Sequence, residues 1–198
     1  MQRICKNPSI LVSMTHKAVE LVAELMALSA RTAPKGKGQD SILIRVVAGE
    51  ELQELSRELD RLGQARGIKF YLRDAKNLEE SDACVLIAAR SKDHAGLNCG
   101  GCGFSSCQDM IEAQSRFQET EQNLPFHGPN CVIKMADLGI ALGSAAKTAS
   151  LRGILQAPTT TEIARDLTAA GWTEPVVLWR WHIWAVVGAW RSESPDMC

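Results

Sequence analysis

The sequence has no surplus of charge of either sign. Its 22 Lys and Arg against 23 Asp and Glu leave a formal charge of −1 over 198 residues. That balance argues against a nucleic-acid or anionic-membrane binder, which would present a basic surface. A long hydrophobic run is also missing. The most apolar stretch, Pro175 to Trp190, is 16 residues interrupted by Arg180 and His182, short of the roughly 20 that span a bilayer. Ile10-Leu11-Val12 is too short for the apolar part of a secretory signal, which takes about 7–15 residues. No P-loop, GxGxxG, HExxH or Ser/His/Asp arrangement is found, so hydrolytic and nucleotide-binding signatures are absent. Seven cysteines in 198 residues fall well below a disulfide scaffold. A chain of this length buries roughly 70% of its unfolded surface and needs no such scaffold. These absences lead to the expectation of a soluble, cytoplasmic protein of one domain, or at most two small ones.

What is present is an interleaving of helical and strand patterns. Residues 1–13 read as an irregular leader, with Met14 a candidate start. From Thr15, Val19, Val22, Leu25, Met26 and Ala30 fall on one face of a helix, which Pro34 ends. Lys35-Gly36-Lys37-Gly38 follows as a basic loop. Ser41 to Ala48 reads as a strand, Glu50 to Arg66 as an amphipathic helix stopped by Gly67, Ile68 to Leu72 as a second strand, and Ala83 to Ala89 as a buried strand. A Cys/Gly-rich loop over 91–107 leads to a helix from Gln108 to about Gln118, a polar connection to Asn130, and a Gly/Ala-rich helix over 132–150. The expected fold class is α/β, or α+β: a central sheet flanked by helices with the cysteine loop inserted. The expected divisions are a leader (1–13), an N-terminal part of the core (14–90), a four-cysteine part (91–150) and a Trp-rich tail (151–198). In that tail Thr161 to Ala170 can form a helix. All five tryptophans lie between Trp172 and Trp190, and Val177, Trp179 and Trp181 can share a strand face.

The cysteines carry the chemistry. Cys99, Cys102, Cys107 and Cys131 are spaced C-x2-C-x4-C-x23-C, with Gly100, Gly101 and Gly103 inside the loop. Glycines let the backbone turn sharply enough for neighbouring thiolates to reach different corners of one centre. They also let amide N–H groups approach sulfide, which raises a reduction potential. Closing a 23-residue gap instead of one of about three adds only roughly 2 kcal/mol. Three uses fit the spacing: an iron–sulfur cluster, a structural zinc site with four thiolates, and a thiol redox pair. The full set of four and the density of glycine favour the first. Cys84, in an apolar run, reads as a small core residue. His94 and His127 flank the cysteine segments but are not needed as ligands. Asp137 either faces a cofactor or is a helix-start carboxylate favoured by the macrodipole.

The run Gly96 to Cys107, then Gly128-Pro129-Asn130-Cys131, Lys134, Asp137-Leu138-Gly139-Ile140-Ala141, Gly143-Ser144-Ala145 and Lys147-Thr148-Ala149 resembles a family of small prokaryotic ferredoxin-domain proteins of unknown function. Ala30 to Gly38, Arg73-Asp74-Ala75 and Ser81-Asp82 match it too. The resemblance implies a [4Fe–4S] cluster on Cys99, Cys102, Cys107 and Cys131, with electron transfer to a redox partner protein. After Ala149 the chain departs from that family's pattern, through divergence or a change of reading frame near residue 151. A weaker resemblance, in the helix–Ala-Pro turn–strand of Leu28 to Val47 and in Asp137 to Ala141, is to nitroreductase-like flavoproteins. It implies FMN, a homodimer, and Arg31, Lys35, Lys37 and Lys147 as charge for the flavin phosphate. The alternative for these four is a set of solvated loop and helix-end charges.

Overall fold

The protein is seen in a computed structural model that describes residues 8–90, 92–120, 128–151, 176–177 and 185–187. The first helix, α1 (Pro8–Thr32), starts earlier than the sequence pattern suggests. Proline fits the first turn of a helix because its missing N–H has no intrahelical partner there, so the supposed leader is helical over 8–13; residues 1–7 lie outside the described set. Val19, Val22, Ala23, Met26 and Ala30 form its buried stripe. Lys35 closes the helix: its Nζ donates to the carbonyls of Ala30 (2.6 Å) and Arg31 (2.7 Å), two of the groups that a helix end leaves without partners.

Two long strands, β1 (Ile42–Ala48) and β2 (Ala83–Arg90), pair antiparallel, with Ile42 opposite Ala89 and Ala48 opposite Ala83. Two short strands, β3 (Val176–Val177) and β4 (Ala185–Val187), pair antiparallel with the other edge of β2. β2 is therefore central, which is why its residues are buried from Ala83 to Ala89. Alternation along the strand divides the core between two faces. Cys84, Leu86 and Ala88 pack with Leu52, Leu55, Leu59 and Leu62 of α2 (Gly49–Arg66) and Tyr71, Ala75 and Leu78 of α3 (Lys69–Glu79). Ala83, Val85, Ile87 and Ala89 pack with α1 and with Leu138, Ala141 and Ala145 of α5 (Val132–Leu151). The fold is a mixed α+β one, helices on both faces of an antiparallel sheet. Cys84 is a core residue whose thiol burial pushes well above the ordinary range.

Ile68 to Leu72 is not a strand; apart from Ile68 it belongs to α3. Tyr71, Ala75 and Leu78 recur at helical spacing, and their partner is α2 rather than a sheet neighbour. Gly67, left-handed at φ 67, ends α2 and reverses the chain. Gly63 allows the close approach, since a Cβ there would stand 2.8 Å from Leu72 Cδ2 and 2.9 Å from Tyr71 Cβ. The predicted helix at Thr161 to Ala170 and the tryptophans lie outside the described residues. Among the described residues no helix is long and apolar enough to cross a membrane.

One buried carboxylate marks this half of the core. Asp74 of α3 accepts from Arg73 on Oδ1 (2.9 Å from Nε), while Oδ2 is buried without a hydrogen-bond partner. Burial pushes its pKa from 3.8 up to about 6, against the pull of Arg73. Between those two values the native state holds a proton that the unfolded chain has released, so stability falls as pH rises through that window. Urea titrations at pH 4 to 7 should show this decline in the wild type and a flatter profile in Asp74→Asn. Identical slopes for the two proteins would rule Asp74 out as its source.

Candidate metal centre

The segment between β2 and α4 (Cys107–Thr120) is shaped by a few backbone choices. Asn98 (φ 45), Gly100 (φ 69) and Gly103 (φ 85) take left-handed conformations, and the Gly103 N–H donates to Gly100 O at 2.9 Å. Asn98 tolerates this conformation better than most side chains. Its Oδ1 also accepts from the Cys107 N–H at 2.9 Å, closing the loop. Ser106 and Asp109 then cap α4 reciprocally: the Asp109 N–H donates to Ser106 Oγ and the Ser106 N–H to Asp109 Oδ2, both at 3.1 Å. This capping box fixes Cys107 in the first turn of the helix.

Cys131 arrives from the other side, directly before α5, and its carbonyl accepts from the Met135 N–H at 3.0 Å. The preceding residues are held from α4, where the buried Gln114 donates through Nε2 to Pro129 O and Asn130 Oδ1, each at 2.9 Å. The peptide bond between Gly128 and Pro129 is cis. Gly101 lies so close to α5 that a Cβ there would stand 2.8 Å from Val132 Cγ1 and 3.5 Å from Cys99 Sγ. Cys131 packs with Ala95 and Met110, and Cys102 and Phe104 lean on the same cluster. All four cysteines line one depression, and all are free thiols. Cys131 is buried, Cys102 and Cys107 half-buried, and Cys99 exposed.

The donor set fits an anionic multi-metal centre. Four thiols converge on one depression, and two of them, Cys107 and Cys131, stand at helix N-termini, where the negative charge of a thiolate-bound centre would be favoured. Among the described residues, no three Cys, His, Asp or Glu are already drawn together around a metal position. His94 is occupied locally, its Nδ1 accepting from the Gly96 N–H at 3.0 Å; His127 lies outside the described residues.

The basic residues are placed separately. Arg31 donates to Asp40 Oδ2 and to Ile42 O, both at 2.7 Å, and Lys35 lies 3.9 Å from Asp40. Although partial burial works the other way, hydrogen bonds from Arg31 and the Ile42 N–H hold the Asp40 carboxyl below its ordinary value. Lys37 reaches the cysteine segment, donating to Ala95 O at 3.2 Å. Lys147 borders a shallow groove between α1 and α5 with Ser29, Thr32 and Ser144. Arg31 and Lys35 thus share Asp40, while Lys37 and Lys147 serve different surfaces.

A family described as uncharacterised proteins containing a ferredoxin domain (DUF2148) matches residues 127–156. An uncharacterised protein of Archaeoglobus fulgidus is 41% identical over 139 residues, covering 70% of this chain and 72% of its own length. The chain belongs to this family. In this ferredoxin-domain protein the matched stretch includes Cys131 and all of α5.

Two residues in that stretch have a role the sequence did not reveal. Asp137 Oδ1 accepts from the Gly36 N–H at 2.7 Å, its other oxygen lies 3.3 Å from Lys134 Nζ, and Lys134 donates to Gln39 O at 2.9 Å. Both side chains are buried. The spacing of Lys134 and Asp137 on one helix face was the only available signal; the backbone partners lie about a hundred residues away. Removing one member of a buried pair strands the other charge and costs about 3–5 kcal/mol, whereas removing both costs less. Chemical denaturation should therefore show a larger loss for Asp137→Ala than for Lys134→Met/Asp137→Ala. Equal or reversed losses would mean that the pair is not the tie described.

Proposed function

We propose that Cys99, Cys102, Cys107 and Cys131 hold one [4Fe–4S] cluster and that the protein carries single electrons to and from a redox partner protein. The observation that carries this reading is the convergence of four free thiols from two separate segments on one glycine-turned depression. Membership of a ferredoxin-domain family supports it. Such a cluster supplies a reversible one-electron couple whose potential follows hydrogen bonding, charge and burial.

The chain's own part is to place the ligands and grade their exposure. Cys131 and the Ala95–Met110 cluster close the inner side of the depression against water. Cys99 faces solvent beside Leu97 and Val132, which are 50% and 43% exposed. A partner that docks over Leu97 and Val132 meets the sulfur nearest the surface, and a small contact of this kind suits transient electron exchange. A centre of free thiolates also calls for a reducing compartment, in keeping with a cytoplasmic location. The flavin reading gains nothing from the arrangement, because Arg31 and Lys35 are both engaged by Asp40, Lys37 donates to Ala95 O, and Lys147 borders a different groove.

Anaerobic absorbance with iron, sulfide, zinc and flavin assays tests the proposal on wild type and Cys131→Ala. Four irons and four sulfides per chain are expected, with loss of the cluster or conversion to a three-iron species in the variant. Stoichiometric zinc and no visible band from an iron-replete anaerobic preparation would replace electron transfer with a structural staple.

A further inference from the structure

Two non-glycine residues among the described ones adopt a left-handed backbone, Asn98 at φ 45 and Lys37 at φ 59. Asn98 belongs to the cysteine loop itself. Lys37 lies about 60 positions earlier, in the 3-10 turn Gly36–Gly38. A residue with a long side chain is disfavoured in this conformation, and lysine lacks the short polar group that lets asparagine adapt. Glycine stands on either side and would serve at position 37 without strain. Backbone strain that persists is held by what surrounds it, so the use of the Lys37 side chain becomes the question.

That side chain crosses to the cysteine segment and donates from Nζ to Ala95 O at 3.2 Å. Ala95 is 2% exposed and lines the same depression as the four cysteines. The turn that carries Lys37 is itself tied to α5. The Gly36 N–H donates to Asp137, Lys134 donates to Gln39 O, and a Cβ on residue 36 would stand 2.6 Å from Ile133 Cγ2. The turn is thus seated against the first turns of the helix that begins after Cys131, while Lys37 holds the segment that leads into Cys99. It bridges the two pieces of chain that supply the ligands.

We propose that Lys37 is a positioning residue for the cluster: its ammonium holds the Ala95 carbonyl so that the three-cysteine loop stays in register with Cys131, and its fixed charge favours the reduced, more negative state. This rests on the iron–sulfur reading above. An ordinary solvated lysine would do neither.

The test compares Lys37→Gly, Lys37→Met and Lys37→Arg in the full chain, each isolated anaerobically with its iron and sulfide content measured. Glycine relieves the left-handed strain and so offsets the lost bond to Ala95 O, and thermal unfolding of Lys37→Gly should stay close to that of wild type. The reduction equilibrium constant should nevertheless fall, by roughly threefold to tenfold, tenfold being 59 mV for one electron. Cluster loss to an iron chelator should be several-fold faster. Lys37→Met should show the same two losses, and Lys37→Arg should retain wild-type behaviour in both. If wild type holds the cluster and the Gly and Met variants match it in potential and chelation lifetime, the proposal is overturned while the cluster reading stands. Wild-type protein without iron and sulfide would overturn both.

Discussion

Two charges with almost no water around them, Lys134 and Asp137, decide where the first turns of α5 sit. Each is 2% exposed, and neither can be left unmatched in such surroundings without a large desolvation cost. Asp137 is matched by Lys134 and by the Gly36 N–H, and Lys134 by Gln39 O. These bonds fasten residues 36–39 to α5. The same residues run within a few positions into β1, β1 is in register with β2 over its whole length, and β2 leads into the cysteine loop. Cys131, directly before α5, and the three cysteines beyond β2 are therefore related by a short series of hydrogen-bonded steps, not by the 23-residue connection between them alone.

Much of this was legible in the sequence where periodicity was long enough to be unambiguous. The α1 stripe, the apolar run of β2 and the helix after Gly49 follow from spacing, because each buries one face or both. Ile68 to Leu72 was misread because five residues cannot separate a strand from the start of a helix. Its helical stripe appears only when Ala75 and Leu78 are counted with Tyr71, and its partner is α2 rather than a strand. The start of α1 was misread because Ile10 to Val12 carries no amphipathic pattern to extend.

The candidate site divides in the same way. Four thiolates with glycines between them are visible as a set because their chemistry is carried by residue type. The groups that set their surroundings are not. Asp137 is matched in part by a backbone N–H from residue 36, and Lys134 by a backbone carbonyl from residue 39. Sequence does not mark which of nearly two hundred backbone groups a side chain will meet. Asn98 is the same case, its amide oxygen serving the N–H of Cys107, nine residues on.

The position of the cysteines within this fold bears on why they are there. A structural staple is most useful where a small core cannot hold the chain together. Here each face of the sheet has its own packed cluster, α1 with α5 on one and α2 with α3 on the other. The elements that carry Cys107 and Cys131 are already joined by Gln114 and by the Ala95–Met110 contacts. A staple would also be served best by a closed site, as structural zinc sites are, yet Cys99 lies exposed at the outer edge. Burial at one end and exposure at the other add little to stability. They accord with the electron-transfer role proposed above, in which a centre keeps its ligands in place on the buried side and meets a partner on the exposed one.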